Sequence, residues 1–388
     1  MITPHQLDLW SANMADLYNS LEGEIIRIMI IHLGRNKGSK DISLWQAEKL
    51  SELRLFNSEV TSYLAKVTKR AEPEIRQMFE VAGRQMVQDI DKSVPYEPKP
   101  MPTNLDAIMR SYSNQVWLDI DNYVNQTLVT TNYGVGGAQR AYQGVLNETA
   151  AMFNTGLYTF EDSLERAITN MAQQGIKTTL IDRGGHTWSL ERYTRTVLKS
   201  TLSNTYDEVR KERMSEYNVH TVVVTSHVGA RKQCELIQGN VVDLREPSEI
   251  PEDSEYKSIY DPDWGADYGE AGGHRGVNCA HLHIPFVPGV NTNNQPLYDQ
   301  ALNDRVHNAQ QTQRRIEREI VKYKKNLMVA EELGSDKAGH WRKMVRKRQG
   351  AMRDLIDQND DYLVRNYKRE KVYTPLDALL NDFSYKGN

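Results

Sequence analysis

Between residues 5 and 33, apolar side chains return every three or four positions: Leu7, Trp10, Met14, Leu17, Leu21, Ile25 and Ile28, with His32 completing the stripe. That period gives one continuous apolar face to a long α-helix. Gly34-Arg-Asn-Lys-Gly38 ends it, as glycine does past a helix C-terminus. The pattern recurs from Ile42 to Ile90 through Trp45, Leu53, Phe56, Val60, Leu64, Val67, Ile75, Phe79 and Met86. Pro73 is expected to start a new helix within this stretch, since proline fits the first helical turn better than the interior. Both stripes read as core or subunit contact, with no cofactor box.

The rest of the chain is mostly helical by the same criterion. Val94 to Thr103 holds four prolines and reads as a spacer. Helical segments resume from Leu105 to Leu128, break at Gly134-Val-Gly-Gly137, and continue to Phe153. Those glycines lack the lysine and the preceding strand of a phosphate loop, so they read as a turn. Thr159-Phe-Glu-Asp162 opens the next helix in capping style, running to Gln174 and stopping at Gly175. Arg183-Gly-Gly-His186 reads as a turn. Leu190 to Tyr217 is a long helix with Tyr193, Val197, Leu202, Tyr206 and Val209 inward; Arg192, Arg195 and Asn204 on it read as capping or bracing the module C-terminal to this helix. A hairpin of two helices spans 298 to 370, turning at Gly334-Ser335, and Thr374-Pro375 is expected to start a short last helix.

Two cassettes interrupt this helical text. Thr221-Val-Val-Val-Thr-Ser-His227-Val-Gly-Ala-Arg231-Lys-Gln-Cys234 leads into Gly239. Gly272-Gly-His274-Arg-Gly276-Val-Asn278-Cys279-Ala-His281-Leu-His283 leads into Pro285 and Gly289. The chain has two cysteines, one in each cassette, and four of its ten histidines lie with them. Short β-branched runs at His220–Thr225, Gly239–Leu244 and Ala280–Val287 are the strand candidates, and this is expected to be the one region with strands. Thiolates and imidazoles in two separated clusters are what a tetrahedral zinc site needs. The ligand set expected is His227, Cys234, Cys279 and His281, with His274 and His283 as substitutes. Ordinary buried thiols and a single disulfide are the other readings open at this point. The fold class is therefore mainly α: long helices, a small α+β Cys/His module of three short strands stapled by zinc, and a C-terminal αα-hairpin. The domains expected are 1–94, a linker 95–104, 105–219, the module 220–292, and 293–388.

Composition narrows the function. With 39% hydrophobic and 26% charged residues, the 388-residue chain is of globular type, and its formal charge of −4 gives no global pull toward nucleic acid. The apolar run Ile25–Leu33 is too short to span a bilayer, and the N-terminus carries no apolar signal core, so no membrane anchor is expected. Asp243 to Glu270 holds ten carboxylates against Arg245 and Lys257 and reads as a solvated insertion; its spacing fits no EF-hand. Lys337, Arg342, Lys343, Arg346, Lys347 and Arg348 make a basic helix face able to meet phosphates or an acidic partner.

The block His-x-Gly-Ala-Arg-x-x-Cys-x(4)-Gly, with Gly-x-Asn-Cys-x-His and Pro-x-x-Pro-Gly after it, resembles the phage minor capsid protein 2 family, which looks related to the Mu F-like minor head proteins. Gln313-Arg-Arg-Ile-Glu-Arg-Glu-Ile, Gln349-Gly-Ala-Met-Arg-Asp-Leu-Ile and Asn366-Tyr-Lys-Arg-Glu-Lys-Val resemble its closing segments. The wider group carries a cysteine pair in the first cassette; here Cys234 stands alone, and His281 takes the place of a last cysteine. The resemblance implies a structural minor capsid protein of a tailed phage, in the virion near the portal and in the host cytoplasm during assembly. Its implied partners are the portal protein, the major capsid protein or scaffold, and packaged DNA, with roles in head assembly, DNA packaging or delivery. The alternative is a metal-dependent nuclease or hydrolase on the His/Cys cluster. A catalytic ion needs an open position and a general base, whereas four protein ligands make a closed structural site. No Ser-His-Asp or paired-carboxylate constellation stands out, so no enzyme is expected.

Overall fold

The computed structural model describes residues 4–34, 41–131, 134–181, 185, 187–277, 279–372 and 375, 376 and 379. The expected turn at 183–186 (Gly185 apart), Asn278, and most of the last helix from Thr374 lie outside them. Helix α1 (Pro4–Gly34) is the axis of the molecule. From Met14 to His32 its stripe is buried as the periodicity requires, and from Ser20 to Ile30 its other faces are covered too, which marks a helix with neighbours on every side. Helices α3 (Leu53–Ser93), α8 (Leu190–Glu216), α10 (Gln300–Leu333) and α7 (Phe160–Gln174) pack around it. Short α2 (Ile42–Ser51), capped by Asp41, precedes α3. Two acids on α1 are buried with work to do: Glu22 Oε1 accepts from Ile176 N at 2.8 Å, and Glu24 holds Arg27 at 2.6 Å.

Pro73 does not begin a helix. It lies inside the continuous 41-residue α3. Its side chain is exposed while Val67, Ala71 and Ile75 are fully buried, so the carbonyl that loses its amide partner faces water and the packed face runs on undisturbed.

After the proline-rich stretch come α4 (Leu105–Ile120), a π turn (Asp121–Asn125) and α5 (Gln126–Val129). The buried Tyr18 hydroxyl donates to Asn125 Oδ1 in that turn at 3.0 Å. Fully buried Arg213 ties this region together: it grips Asp91 of α3 at 2.6 and 2.8 Å and donates to the carbonyls of Lys99 and Pro100. Helix α6 (Gly137–Asn154) comes next, and α7 begins as expected, with Thr159 Oγ1 accepting from Asp162 N at 3.1 Å. Strands are not confined to the cassettes. A two-residue pair, β1 (Thr130–Thr131) with β2 (Gly134–Val135), and a ribbon, β3 (Lys177–Ile181) with β4 (Thr187–Ser189), lie between helices.

The module's sheet is antiparallel in the order β6-β5-β7: β5 (Thr221–Val224) in the centre, β6 (Val241–Asp243) and β7 (His283–Pro285) outside. All of β5 is buried. Val222 and Val224 face a cluster with Val242, Ile259 and Val287, while Val223 faces Ile284 and Phe286 on the other side, the period of two that a strand imposes. The acidic loop folds onto this sheet. Ile259 and Ala266 enter its core, and Trp264 and Tyr268 pack against them, while its outer carboxylates at Glu246, Glu249, Glu252, Asp253 and Glu255 stay exposed. The hairpin of α10 and α11 (Ala338–Asp357) closes on Ile316, Ile320 and Met352, and Gly334 ends α10 in the left-handed conformation at φ 65°. Among the described residues no helix is long and apolar enough to cross a membrane.

Candidate metal centre

The sheet and the turn of the second cassette bring Cys234, His274, Cys279 and His281 together, each buried, with one ligand atom from each lying within 4.8 Å of the others. Cys234 comes from the short helix α9 (Lys232–Glu235), reached through a loop in which Gly229 (φ 83°) allows the reversal. The glycines around His274 permit close approach: a Cβ on Gly273 would fall 1.8 Å from Asp267 O, and one on Gly276 2.0 Å from Glu270 O. No other residue fits there.

Three distances test the fit to an ion. The two sulfurs are 3.9 Å apart; His274 Nδ1 is 3.5 Å from Cys234 Sγ, and His281 Nδ1 is 3.5 Å from Cys279 Sγ. Tetrahedral zinc with bonds of about 2.3 Å to sulfur and about 2.0–2.1 Å to nitrogen requires edges of about 3.8 Å and about 3.5 Å. The remaining ring nitrogens are held as ligating imidazoles are held. His274 Nε2 lies 2.8 Å from His283 Nε2, and His281 Nε2 lies 3.1 Å from Gln238 Oε1.

Of the six residues singled out from the sequence, Cys234, Cys279 and His281 meet, joined by His274. His283 backs His274 from β7. His227 stacks its ring on His281 at 4.1 Å between centroids, outside the cluster of four. Burial, then the neighbouring His281, holds His227 down to about 4. Burial likewise depresses His274, and depresses His283 well below the usual range, a shift toward the neutral form that ligation demands. The Cys279 thiol is drawn down by the hydrogen bond with Cys234 and then by His274 and His281, while that hydrogen bond and burial push Cys234 up.

Two further layers were not legible in the sequence. Asp207 of α8 holds Arg275 at 2.5 Å and Arg210 at 2.9 Å, and Arg275 also donates to His281 O, so a buried ion-pair cluster fixes the second cassette onto the helical body. On the other side, Asn303 of α10, 1% exposed, accepts from Gly229 N and Ala230 N at 2.8 and 2.9 Å and donates to Ala230 O at 3.0 Å. Arg231 crosses between cassettes to Gly273 O at 2.9 Å. A cleft of 580 Å³ lies between this loop and α10, with Cys234, Cys279 and His281 on its wall.

The basic run on α11 divides. Lys337 bonds Asp162 at 2.6 Å and Glu165 at 3.1 Å on α7; Arg342 pairs with Glu331 and Arg348 with Glu319. Lys343, Arg346 and Lys347 are exposed, with no carboxylate partner among the described residues.

Known proteins share this sequence along most of its length. The family model described as phage minor capsid protein 2 matches residues 2–357. A structural protein of Lactococcus phage LL-H is 34% identical over 334 residues, which is 85% of this chain and 89% of that protein. A structural protein of Lactococcus phage mv4 is 36% identical over 118 residues, 30% of this chain and 92% of that protein. No solved structure matches.

Proposed function

This chain belongs to the phage minor capsid protein 2 family, and on that premise we propose that it is a structural component of a tailed-phage head, placed at the portal vertex. Its partners there are the portal protein and the major capsid protein or scaffold. It assembles in the host cytoplasm, stays in the virion, and acts in head assembly, DNA packaging or delivery. The observation that carries this reading is the family match over residues 2–357; the LL-H structural protein, similar over 85% of the chain, supports it. Residues 220–292 are the metal module of this component, with Cys234, His274, Cys279 and His281 holding one structural zinc. Bound there, the ion supplies a rigid junction between two loops that bury little apolar surface of their own. Two sulfurs and two ring nitrogens fill every position of a tetrahedral ion and leave none for a reacting water, which favours a structural role over hydrolysis. The exposed cations Lys343, Arg346 and Lys347 face packaged DNA.

The experiment is to locate the chain in purified particles with a gold-labelled antibody and cryo-electron microscopy. Label at a single vertex of the head is expected. Label spread over the whole shell, or particles lacking the protein, overturns the assignment.

A further inference from the structure

Cys234 and Cys279 are the whole thiol content of the chain, they come from segments 45 residues apart, and their sulfurs lie 3.9 Å from each other. Both open onto the 580 Å³ cleft between the module and α10, a space of the size that admits a small peptide-like molecule. Cys279 is 8% exposed and Cys234 1%. A metal site enclosed on all sides would protect its thiols whatever its occupancy; here the cleft reaches both sulfur-bearing residues.

We propose that the pair is an oxidation site: in the metal-free protein a low-molecular-weight disulfide entering by the cleft converts Cys234 and Cys279 into an intramolecular disulfide, a second staple for the same two cassettes. The inference rests on the reading above in its setting, since a particle assembled in a reducing cytoplasm later meets oxidising surroundings. The chemistry is thiol–disulfide exchange. The more accessible Cys279, as thiolate, attacks one sulfur of the small disulfide. That S–S bond breaks, and the first leaving thiolate takes up the proton Cys279 gave. Cys234, as thiolate, then attacks the Cys279 sulfur of the mixed disulfide and expels the second small thiolate, which takes up the proton of Cys234. Two protein thiols lose two electrons, and one small disulfide becomes two thiols. The oxidant is thus named by class, and no other co-reactant is needed.

The test uses the full chain, stripped of metal with a chelator and incubated with glutathione disulfide. Free thiols should fall from two to none, the mass should drop by about 2 Da as two hydrogens leave without glutathione retained, and the product should stay monomeric with the 234 and 279 peptides linked. Closure should be at least tenfold faster than in urea, where the fold no longer aligns the sulfurs. Cys234→Ser should instead trap glutathione on Cys279. Wild-type protein that stalls as the mixed disulfide, links between chains, or closes no faster than in urea overturns the proposal. The zinc-loaded protein should resist oxidation. If it closes as fast as the metal-free one, the disulfide site stands and the zinc reading falls; if zinc binds but the metal-free pair does not close, the reverse holds.

Discussion

Replacing Asn303 with alanine removes one side chain and leaves three backbone groups without partners: Gly229 N, Ala230 N and Ala230 O. A buried polar group stripped of its hydrogen bond costs about 1–3 kcal/mol. Gly229 and Ala230 are buried but border the cleft, so the space opened by the substitution admits water to the freed groups and each cost falls in the lower half of that range. The sum over three groups is a loss of about 3–6 kcal/mol, large against the total stability of an ordinary domain. His307→Ala is the internal control, because its half-buried ring gives the loop one contact, to Gly229 O at 3.2 Å, beside a 3.4 Å contact to Gln311 within α10, and its loss should cost about 1 kcal/mol. Asn303→Asp keeps an acceptor for both amides but cannot donate to Ala230 O, and should fall between the two. The loop lies just before Cys234, so Asn303→Ala should also weaken zinc binding by roughly 10–100-fold, as loss of outer support does. Urea unfolding gives the stability, and hydrogen exchange at the Gly229 and Ala230 amides reads the site directly. Amides that stay protected in Asn303→Ala, with stability within about 1 kcal/mol of His307→Ala, would refute this account of how α10 holds the module.

Elemental analysis of protein purified without chelator should find about one zinc per chain; Cys234→Ser, Cys279→Ser and His274→Ala should lose it, whereas His227→Ala should keep it. Asp91→Ala takes the bidentate partner from the fully buried Arg213 guanidinium, which keeps Glu216 and the carbonyls of Lys99 and Pro100; stability should fall by about 3 kcal/mol in chemical denaturation, the low end for a broken buried pair, with Asp91→Asn milder. The hydrogen bond from Lys337 holds the Asp162 carboxyl below its usual value. Its small contribution is therefore present above about pH 4, the ordinary aspartate range, and is lost as pH falls through the lower folded value. Lys337→Met should move the Asp162 titration upward in a carboxyl-detected NMR experiment, and no movement would break the link. Changing Lys343, Arg346 and Lys347 together to Glu should cut the salt dependence of DNA binding by about 2.7 units of slope without altering the melting temperature; unchanged binding would leave the arm a solvated face.

Where the relevant physics is local, the sequence is readable. Thr159 and Gly175 bracket α7 to the residue because cap and stop are each decided within one turn of chain. The three module strands are visible as β-branched runs for the same reason. Pro73 departs from expectation because its cost depends on which side of α3 meets solvent, a property of the packed molecule. The ribbon of β3 and β4 has a signal, Thr178-Thr-Leu-Ile181 beside a Gly-Gly turn, outweighed by the helices around it. At the candidate metal centre, the residue types are legible and the choice among histidines is not. His227 and His274 differ in which way a ring nitrogen points, and that is set by Gly273 and Gly276 packing against the backbone of residues 267 to 270. Asn303 carries no motif at all, since one asparagine in a polar helix looks like any other.

The position of α1 also sets an order of events during synthesis. Helix α1 must end up surrounded by helices made after it, and α8, which covers much of it, begins 156 residues after α1 ends. At roughly 5–20 residues per second, the nascent chain carries an apolar helix through solvent for about 10–30 s before that cover exists. Helix α10 arrives later still. An infected cell making this protein in quantity therefore needs holding capacity for the unfinished chain, and depletion of ribosome-associated chaperones should send newly made molecules into aggregates while leaving completed ones untouched.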